Sequence, residues 1–374
     1  MNRESLLRVR ALLRKEFQQL FRDPKAKRIM FGAPLIQLLL FGYAVTTDVH
    51  NVPMHVVDYD RTAQSRELQS ALTAGDYFRI VAVTDRPALL EADMDGGRAA
   101  VGVVIPAGFA SDLAAGRGAR VQVLVDGSSS NTATVAQGYV TRIAQQFGLD
   151  YARGHGSELR GGIDLRSRAW YNPGLSSRVY NVPAIIGVLL MLMCFLLTAL
   201  NVVRERETGT LEQLMVSPVT GTELILAKTI PVAIIAFIDL LLITTVALLW
   251  FDIPFQGNPF ALLLAATLYI LACLGVGLLI STVSHTQQEA FMGMFLLLLP
   301  AIVLSGFMYP VRTMPRFFQQ LTLLNPVRHF LEIVRGIFLK GEGVVELWPQ
   351  YLAITFMAAG VLWFATRRFK RVTY

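Results

Sequence analysis

The residues whose types and spacing could do chemistry are concentrated in one short charged segment between two apolar stretches. Its sequence is Arg204-Glu-Arg-Glu-Thr-Gly-Thr-Leu-Glu-Gln-Leu-Met-Val-Ser-Pro-Val-Thr-Gly-Thr-Glu223. Thr210-Leu-Glu-Gln213 and Thr220-Gly-Thr-Glu223 each fit a capping box, in which side chains three residues apart satisfy the free N–H groups at a helix start. The pattern predicts a short helix that ends near Pro218 and a second helix that follows it. Mixed charges with helix caps suit a surface that docks another protein, and an ordinary solvated loop with incidental caps is an equal alternative on these residues alone.

Asp239 is the second candidate, because it lies about midway along the apolar stretch from Leu224 to Trp250. An acid at the centre of a membrane helix costs roughly 2.5–3.5 kcal/mol, so we expect its side chain to face protein or water. One interpretation is a polar lining of a substrate pathway or a proton-linked site. The other is a hydrogen bond to a neighbouring helix or to a second copy of the chain.

No pattern predicts catalysis or metal binding by this polypeptide itself. The His residues are scattered, and Cys194 and Cys273 lie within apolar stretches, so neither type has the spacing of a metal site. Ser128-Ser-Ser-Asn131 lacks the Gly-x-Ser-x-Gly context of a nucleophile and is predicted to be a turn. The phosphate-cradling pattern Gly-x-x-x-x-Gly-Lys-Ser/Thr does not occur. We therefore expect no cofactor bound by this chain and no ATP hydrolysis by it.

The elements that must position these residues are membrane helices. The chain has 374 residues, of which 53% are hydrophobic, and long uncharged stretches at such a composition indicate a membrane protein. Six stretches approach the roughly 20 residues that a helix needs to cross a membrane. They are Ile29–Val45, Val182–Val203, Leu224–Trp250, Phe260–Val283, Ala290–Tyr309 and Pro349–Ala365.

Basic residues predict the orientation. They are dense in residues 1–28 and again at Arg367, Arg368, Lys370 and Arg371, which places both termini in the cytoplasm of a multi-pass protein. Residues 5–22 have the period of an amphipathic helix in the membrane interface. The net charge of +7 is mostly charge that flanks the membrane, where anionic lipid headgroups would hold it. We therefore expect membrane lipid, and no nucleic acid, as its partner.

Residues 48–178 have the character of a soluble domain. Strands are predicted at 54–58, 78–83, 99–105 and 121–125, and helices at 65–72, 87–94 and 132–147. Strands that alternate with helices predict a small α/β layer. The predicted fold is an α-helical polytopic membrane protein of six transmembrane helices with an inserted extracytoplasmic α/β domain. Its divisions are 1–28, a cytoplasmic amphipathic helix; 29–47, the first transmembrane helix; 48–178, the α/β domain; and 179–374, the other five transmembrane helices.

Two motifs resemble one known family. Glu205-Arg-Glu207-x-Gly209-Thr210-x-Glu212-x-Leu214, followed by Ser217-Pro218, Glu223 and Lys228, resembles the hallmark of type-2 ABC exporter permeases. Asn325-Pro-x-Arg328-x-Phe330-x-Glu332-x-x-Arg335-Gly336 resembles the external segment that precedes the last span in that family. With the order of the predicted elements, the resemblance covers nearly the whole chain. It is most similar to bacterial efflux permeases that carry a large periplasmic domain.

The resemblance implies roles for particular residues. Segment 204–223 would be the coupling helix that contacts an ATPase subunit, through Arg204, Glu205, Arg206, Glu207, Gly209, Thr210, Glu212 and Glu223. An external re-entrant segment at 310–348 would shape the exit of the pathway, with Asn325, Pro326, Arg328, Glu332, Arg335 and Gly336. A surface amphipathic helix that only packs the spans is the alternative for this segment.

The resemblance also implies partners. These are a separate ABC ATPase that holds Mg-ATP, a second copy or a related permease, and a periplasmic membrane-fusion adaptor. The implied function is export of an amphipathic or hydrophobic substrate across the bacterial inner membrane. Two rivals remain: a proton-driven secondary transporter that uses Asp239, and a non-transporting membrane sensor or scaffold.

Overall fold

The chain folds into two compact units. The computed structural model describes residues 3–22, 24–44, 50–128, 130–154, 176–209 and 219–373. A helical unit comprises Met1–Thr46 and Ala169–Tyr374, and an α/β unit comprises Thr47–Arg168. The α/β unit therefore lies, in sequence, between the two parts of the helical unit.

The helical unit begins with α1 (Arg3–Arg22) and α2 (Pro24–Lys27), and a π-helical turn leads from α2 into α3 (Ala33–Ala44). One stripe of α1 is buried and includes Val9 and Glu16, which confirms an amphipathic helix at the predicted place. The stripe is slightly rotated from the predicted apolar face.

A four-stranded sheet in the order β2-β1-β3-β4 forms the centre of the α/β unit. Strand β1 pairs in parallel with β2 and β3, whereas β4 is antiparallel to β3. Each strand overlaps one predicted from the sequence; they are β1 (Val52–Asp58), β2 (Phe78–Thr84), β3 (Val101–Ile105) and β4 (Gln122–Val125). The helices are α4 (Ala63–Thr73), α5 (Pro87–Asp95), α6 (Phe109–Ala114) and α7 (Ser130–Gly154).

The two faces of this sheet are covered differently. Met54 and Val56 of β1 pack with Leu68 of α4 and Val140 of α7 in one hydrophobic core. On the other face, α5 approaches β3 so closely that a Cβ on Gly102 would lie 2.7 Å from a methyl group of Leu90. Side chains on alternate positions of β1 therefore meet different helices, as the period of a strand requires.

The rest of the helical unit is a bundle of long apolar helices with shorter helices between the last two of them. Its helices are α8 (Ser177–Glu207), α9 (Gly221–Leu249), α10 (Pro259–Val283), α11 (Gln287–Val303), α12 (Arg316–Leu321), α13 (Pro326–Arg335) and α14 (Trp348–Thr373). Among the described residues, four are long and apolar enough to cross a membrane: α8, α9, α10 and the part of α14 from Trp348 to Phe369. The apolar helices at Met30–Tyr43 and Gln287–Val303 are shorter.

The fifth predicted span was placed too far along the chain. It was expected to reach Tyr309, but α11 ends at Val303. The C-cap is Leu304, and Gly306, two residues beyond it, has a φ of +81°, a left-handed conformation that a continuing α-helix does not contain and that glycine adopts without steric cost. The apolar residues beyond it therefore belong to a turn.

Helix α8 is the centre of the bundle and packs against α3, α9, α10, α11 and α13. It approaches α10 closely at Gly277, where a Cβ would lie 2.8 Å from Cβ of Thr198. Phe330 of α13 stacks on Tyr269 of α10, with ring centroids 4.1 Å apart and planes 3° apart. The Tyr269 hydroxyl donates to the carbonyl oxygen of Gly187 at 2.9 Å. Helices α8, α10 and α13 therefore share one continuous contact.

Candidate functional site

The predicted coupling segment begins where α8 ends. Helix α8 closes at Thr208, whose backbone N–H donates to the Arg204 carbonyl oxygen at 3.1 Å, and Gly209 follows with a φ of +70°. Arg204 and Thr208 are exposed. Thr210, Glu212 and the short helix predicted at 210–218 lie outside the described residues.

Four charged side chains form a cluster beside this segment, here called the charge cluster: Lys15, Glu16, Glu205 and Lys228. The Lys228 Nζ lies 2.8 Å from Oε1 of both Glu16 and Glu205. Lys15 Nζ lies 3.1 Å from Glu16 Oε1 and 2.5 Å from Glu205 Oε1. The two positive and two negative charges alternate in space and cancel.

Burial makes the charge cluster costly to disturb. Glu16 is 2% exposed, Glu205 5% and Lys228 4%. A charge removed from water costs several kcal/mol unless a partner compensates it. Because the members come from α1, α8 and α9, their pairing fixes the three helices at one point. Glu205, one of the predicted coupling residues, is buried in this single chain.

A second ionic contact ties α1 to the start of α9. Arg8 donates from Nη2 to Glu223 Oε1 at 3.0 Å and from Nε to Glu223 Oε2 at 3.3 Å. Glu223 also accepts from the Thr220 backbone N–H at 2.9 Å, and the Thr220 hydroxyl accepts in return from the Glu223 N–H. The capping box predicted at 220–223 is thereby confirmed. Glu223 joins the helix start to α1.

Glu207 and Arg206 contact the turn between α10 and α11. The Glu207 carboxylate accepts from the backbone N–H and the side-chain amide of Gln287, the former at 2.7 Å. Arg206 Nη1 donates to the carbonyl oxygen of Ser284 at 2.7 Å. The end of α8 is thus attached on one side to α1 and on another to the α10–α11 turn.

The sequence patterns did not indicate that Arg8, Lys15 or Glu16 belong to this site. One signal was available: Glu16 lies seven residues after Val9, in the stripe of α1 that is buried. An acid in the buried stripe of an amphipathic helix needs a partner. The pattern could not identify that partner, because Lys228 is distant in sequence.

The predicted exit residues lie on α13 and bind its neighbours. Asn325 caps α13 by accepting from the Val327 N–H at 3.1 Å, and its Nδ2 donates to the Ala301 carbonyl oxygen at 2.7 Å. Pro326 occupies the first helical position, where its missing N–H is not needed. Arg328 donates to the Gln319 carbonyl oxygen at 3.1 Å. These contacts join α13 to α11 and α12.

The far end of α13 reaches other elements. Glu332 Oε1 accepts from Arg328 Nε at 3.3 Å, and its Oε2 accepts from Gln350 Nε2 of α14 at 2.9 Å. Arg335 Nη1 donates to the Gly306 carbonyl oxygen at 3.1 Å. A Cβ on Gly336 would lie 2.5 Å from a Glu342 carboxylate oxygen, so a larger residue does not fit there without a shift.

Asp239 lies inside the packing of a single chain. It is 0% exposed, and neither carboxylate oxygen has a hydrogen-bond partner among the described residues. Ala236, Leu240 and Ile243 on the same helix belong to the bundle core, as does Cys194 of α8. The carboxyl group is therefore enclosed by apolar groups in this conformation.

The α/β unit contains a chain of polar contacts around the buried His55 that the sequence did not indicate. His55 of β1 lies with Nδ1 2.7 Å from Asp93 Oδ2 and Nε2 2.9 Å from Thr84 Oγ1. Arg98 also donates to Asp93, from Nε to Oδ1 at 2.7 Å. The Arg98 hydrogen bond, followed by the one with His55, holds the pKa of Asp93 below its ordinary value. Within the described residues, no group of three or more His, Cys, Asp or Glu could hold a metal ion.

Comparison with known proteins agrees with the motifs. The family model described as "ABC-2 family transporter protein" matches residues 28–367. The chain is 34% identical over 341 residues to the probable multidrug ABC transporter permease YbhR of Escherichia coli K12, covering 91% of this chain and 92% of YbhR.

Two further relatives match over similar lengths. The probable multidrug ABC transporter permease YbhS of the same organism is 33% identical over 366 residues, covering 96% of this chain and 97% of YbhS. The inner membrane transport permease YhhJ is 26% identical over 351 residues, covering 90% and 92%. The chain therefore belongs to the ABC-2 family of transporter proteins, and it is a transmembrane permease subunit of an ABC exporter.

Proposed function

We propose that an ATPase subunit docks on the 204–223 segment and drives this permease through the charge cluster. The carrying observation is the ionic attachment of α1 to both helices that flank the segment, α8 through Glu205 and α9 through Lys228 and Glu223. A push on the segment would move α1, α8 and α9 together. Arg204, Glu207, Thr210 and Glu212 would contact the ATPase, whereas Glu205 would transmit the displacement.

The remaining parts of the proposal follow from charge and resemblance. Both termini and the 204–223 segment would face the cytoplasm, with six membrane crossings in the bacterial inner membrane. The α/β unit would then be extracytoplasmic, where a membrane-fusion adaptor could bind it.

The permease would act with a second copy or a related permease. The ATPase would hold Mg-ATP, and the substrate would be amphipathic or hydrophobic, with Asn325, Arg328 and Arg335 at the exit.

Asp239 is proposed as a residue of the pathway or its gating. The support is its burial without a partner in the middle of a long apolar helix, since an ionisable residue within a membrane helix is a functional candidate by default. As it is enclosed within one chain, water or substrate would reach it only after α9 moves.

The docking proposal is tested by isolating the tagged full-length chain from native membranes in a mild detergent. Mass spectrometry then identifies the proteins that co-purify. We expect an ATPase with Walker motifs to accompany the wild type and to be lost from the Glu207→Ala, Glu212→Ala double variant. The matched control is Glu67→Ala with Glu91→Ala, two exposed acids of the α/β unit.

Two results would contradict the proposal in different ways. An ATPase that stays bound to the Glu207 and Glu212 variant removes the docking role from these acids. A wild-type chain that carries no ATPase, under conditions that keep the permease folded and paired, removes the proposed energy source. In that case the proton-driven and scaffold alternatives gain weight.

A further inference from the structure

Arg335, the last residue of α13, has a guanidinium group that is only partly satisfied. Its Nη1 donates to the Gly306 carbonyl oxygen at 3.1 Å, and its Cζ lies 3.8 Å from the centre of the Tyr180 ring. The other two nitrogens, Nε and Nη2, are shielded from solvent and have no hydrogen-bond partner among the described residues. This edge of the cation, formed by Nε and Nη2 and here called the empty edge, therefore has no acceptor among the described residues.

The empty edge has a defined chemistry. Nε–H and the adjacent Nη2–H point in parallel and match the two oxygens of a carboxylate or a phosphate, which arginine binds in bidentate fashion. The guanidinium stays charged in proteins. Buried donors that lack an acceptor are unfavourable, so a conformation that supplies an anion to this edge is favoured over one that does not.

The chain's own nearby acid does not fill the edge. Glu332 lies one turn before Arg335 and is within electrostatic range of it. Both of its oxygens are engaged elsewhere, Oε1 with Arg328 and Oε2 with Gln350. An acceptor for Arg335 must therefore come from outside these contacts.

The position of Arg335 suits a ligand that is partly apolar. Three separate elements meet at its guanidinium: α13, the turn at Gly306 after α11, and Tyr180 in the first turn of α8. Binding at the empty edge requires that these elements move far enough to expose Nε and Nη2. Met308 and Tyr309, which follow in the same turn, are exposed apolar side chains, against which a hydrocarbon chain can lie.

We propose that Arg335 binds the anionic headgroup, phosphate or carboxylate, of an amphiphile at this end of the helical unit. Tyr180 covers the face of the guanidinium, and the Nε and Nη2 edge receives two oxygens of the headgroup. That the amphiphile is an exported substrate rests on the proposed function. The binding itself does not.

Purified full-length chain in dodecyl maltoside tests the proposal. Its thermal unfolding midpoint is measured against increasing dodecyl phosphate, inorganic phosphate and dodecyl trimethylammonium. We expect dodecyl phosphate to raise the midpoint of the wild type and the cationic amphiphile not to do so. Arg335→Lys keeps the charge but loses the fork, and should bind dodecyl phosphate about tenfold more weakly. Arg316→Gln, which removes an exposed cation, should bind like the wild type.

The three ligands distinguish a headgroup that needs its hydrocarbon chain from an anion that binds alone, and the variants test the role of Arg335. A response to dodecyl phosphate alone indicates an amphiphile headgroup, and a response to inorganic phosphate as well indicates that the anion suffices. Dodecyl phosphate binding that is unchanged in Arg335→Lys overturns the proposal, as does an equal response to the cationic amphiphile.

A second variant keeps the test decisive if Arg335→Lys does not fold. Glu332→Gln leaves Arg335 in place and removes the nearby negative charge, so it should bind dodecyl phosphate more tightly than the wild type. Weaker or unchanged binding contradicts the proposal. No ATPase is needed for these measurements, so a failure of ATP-driven transport with intact binding bears only on the proposed function.

Discussion

At the scale of single residues, the effect of replacing Asp239 on the free energy of unfolding depends on whether its carboxyl group is charged. An ionised carboxylate buried without a partner is very costly, so the neutral carboxylic acid is the form that this packing accepts. We expect Asp239→Asn, which keeps the shape and removes the charge, to leave the free energy of unfolding within about 1 kcal/mol of the wild type. Export by the assembled transporter should fall. Thermal unfolding measures the first effect, and ATP-driven dye uptake into inside-out vesicles, which corresponds to export from the cell, measures the second.

The control for Asp239→Asn is the same change at Asp252, which is exposed beyond the end of α9. That variant should fold and export normally. If Asp239→Asn exports as well as the wild type, Asp239 is a packing residue and its proposed pathway role is wrong. If it fails to fold, the carboxyl group has a structural partner outside the described residues.

At the scale of elements, the charge cluster predicts an unequal response to single and paired substitutions. Lys228→Met leaves the buried Glu16 and Glu205 with only Lys15 between them. Loss of one partner of a buried ion pair costs on the order of 3 kcal/mol. Adding Glu205→Gln to Lys228→Met restores neutrality, so the double variant should be more stable than the single one. Denaturant or thermal unfolding of the four proteins completes a double-mutant cycle.

An exposed pair provides the comparison. Arg117 and Asp112 form an ion pair at 2.9 Å on the surface of the α/β unit, where such pairs contribute about 0–1 kcal/mol. The coupling energy between Lys228 and Glu205 should clearly exceed that between Arg117 and Asp112. If the changes in the free energy of unfolding caused by Lys228→Met and Glu205→Gln simply add, the buried charges do not hold the three helices together.

At the scale of the whole molecule, the two units have their own hydrophobic cores and should respond separately to acid. The pKa of Asp93 is held low in the folded α/β unit by Arg98 and then His55. A lowered folded-state pKa gives stability that is present above the unfolded-state value of about 3.9 and is lost as pH falls through the folded-state value. Asp93→Asn should therefore reduce protection of β1 at neutral pH, and its difference from the wild type should shrink below about pH 4.

Hydrogen exchange of the intact chain, read by mass spectrometry, checks this prediction. Peptides from β1 report on the α/β unit, and peptides from α8 in the same sample are the internal control. The substitution should leave α8 unchanged at every pH. An equal effect on both peptides, or a β1 difference that persists in acid, contradicts the assignment to Asp93.

Local patterns in the sequence predicted local structure well. The apolar stretches of α8, α9 and α10 and the capping box at Thr220 and Glu223 follow from residues close together in the chain. The charge cluster does not, because Glu16 and Lys228 are brought together only by the packing of distant helices. The end of α11 was misplaced for a different reason. Apolar residues continue past Val303, but the helical conformation does not, and Gly306 has a left-handed backbone. The short helix at 210–218 remains a prediction.

The stacked rings of Phe330 and Tyr269 have a consequence for motion. The Tyr269 hydroxyl is bonded to the Gly187 carbonyl oxygen, and there is no room for a Cβ on Gly187 beside Phe330. We therefore expect the parts of α8, α10 and α13 that meet there to move together as one block. This block would then be a fixed region against which movements of the other helices can be measured during transport. We expect distances measured within that block to stay constant during transport, and any hinge to lie among the helices around it.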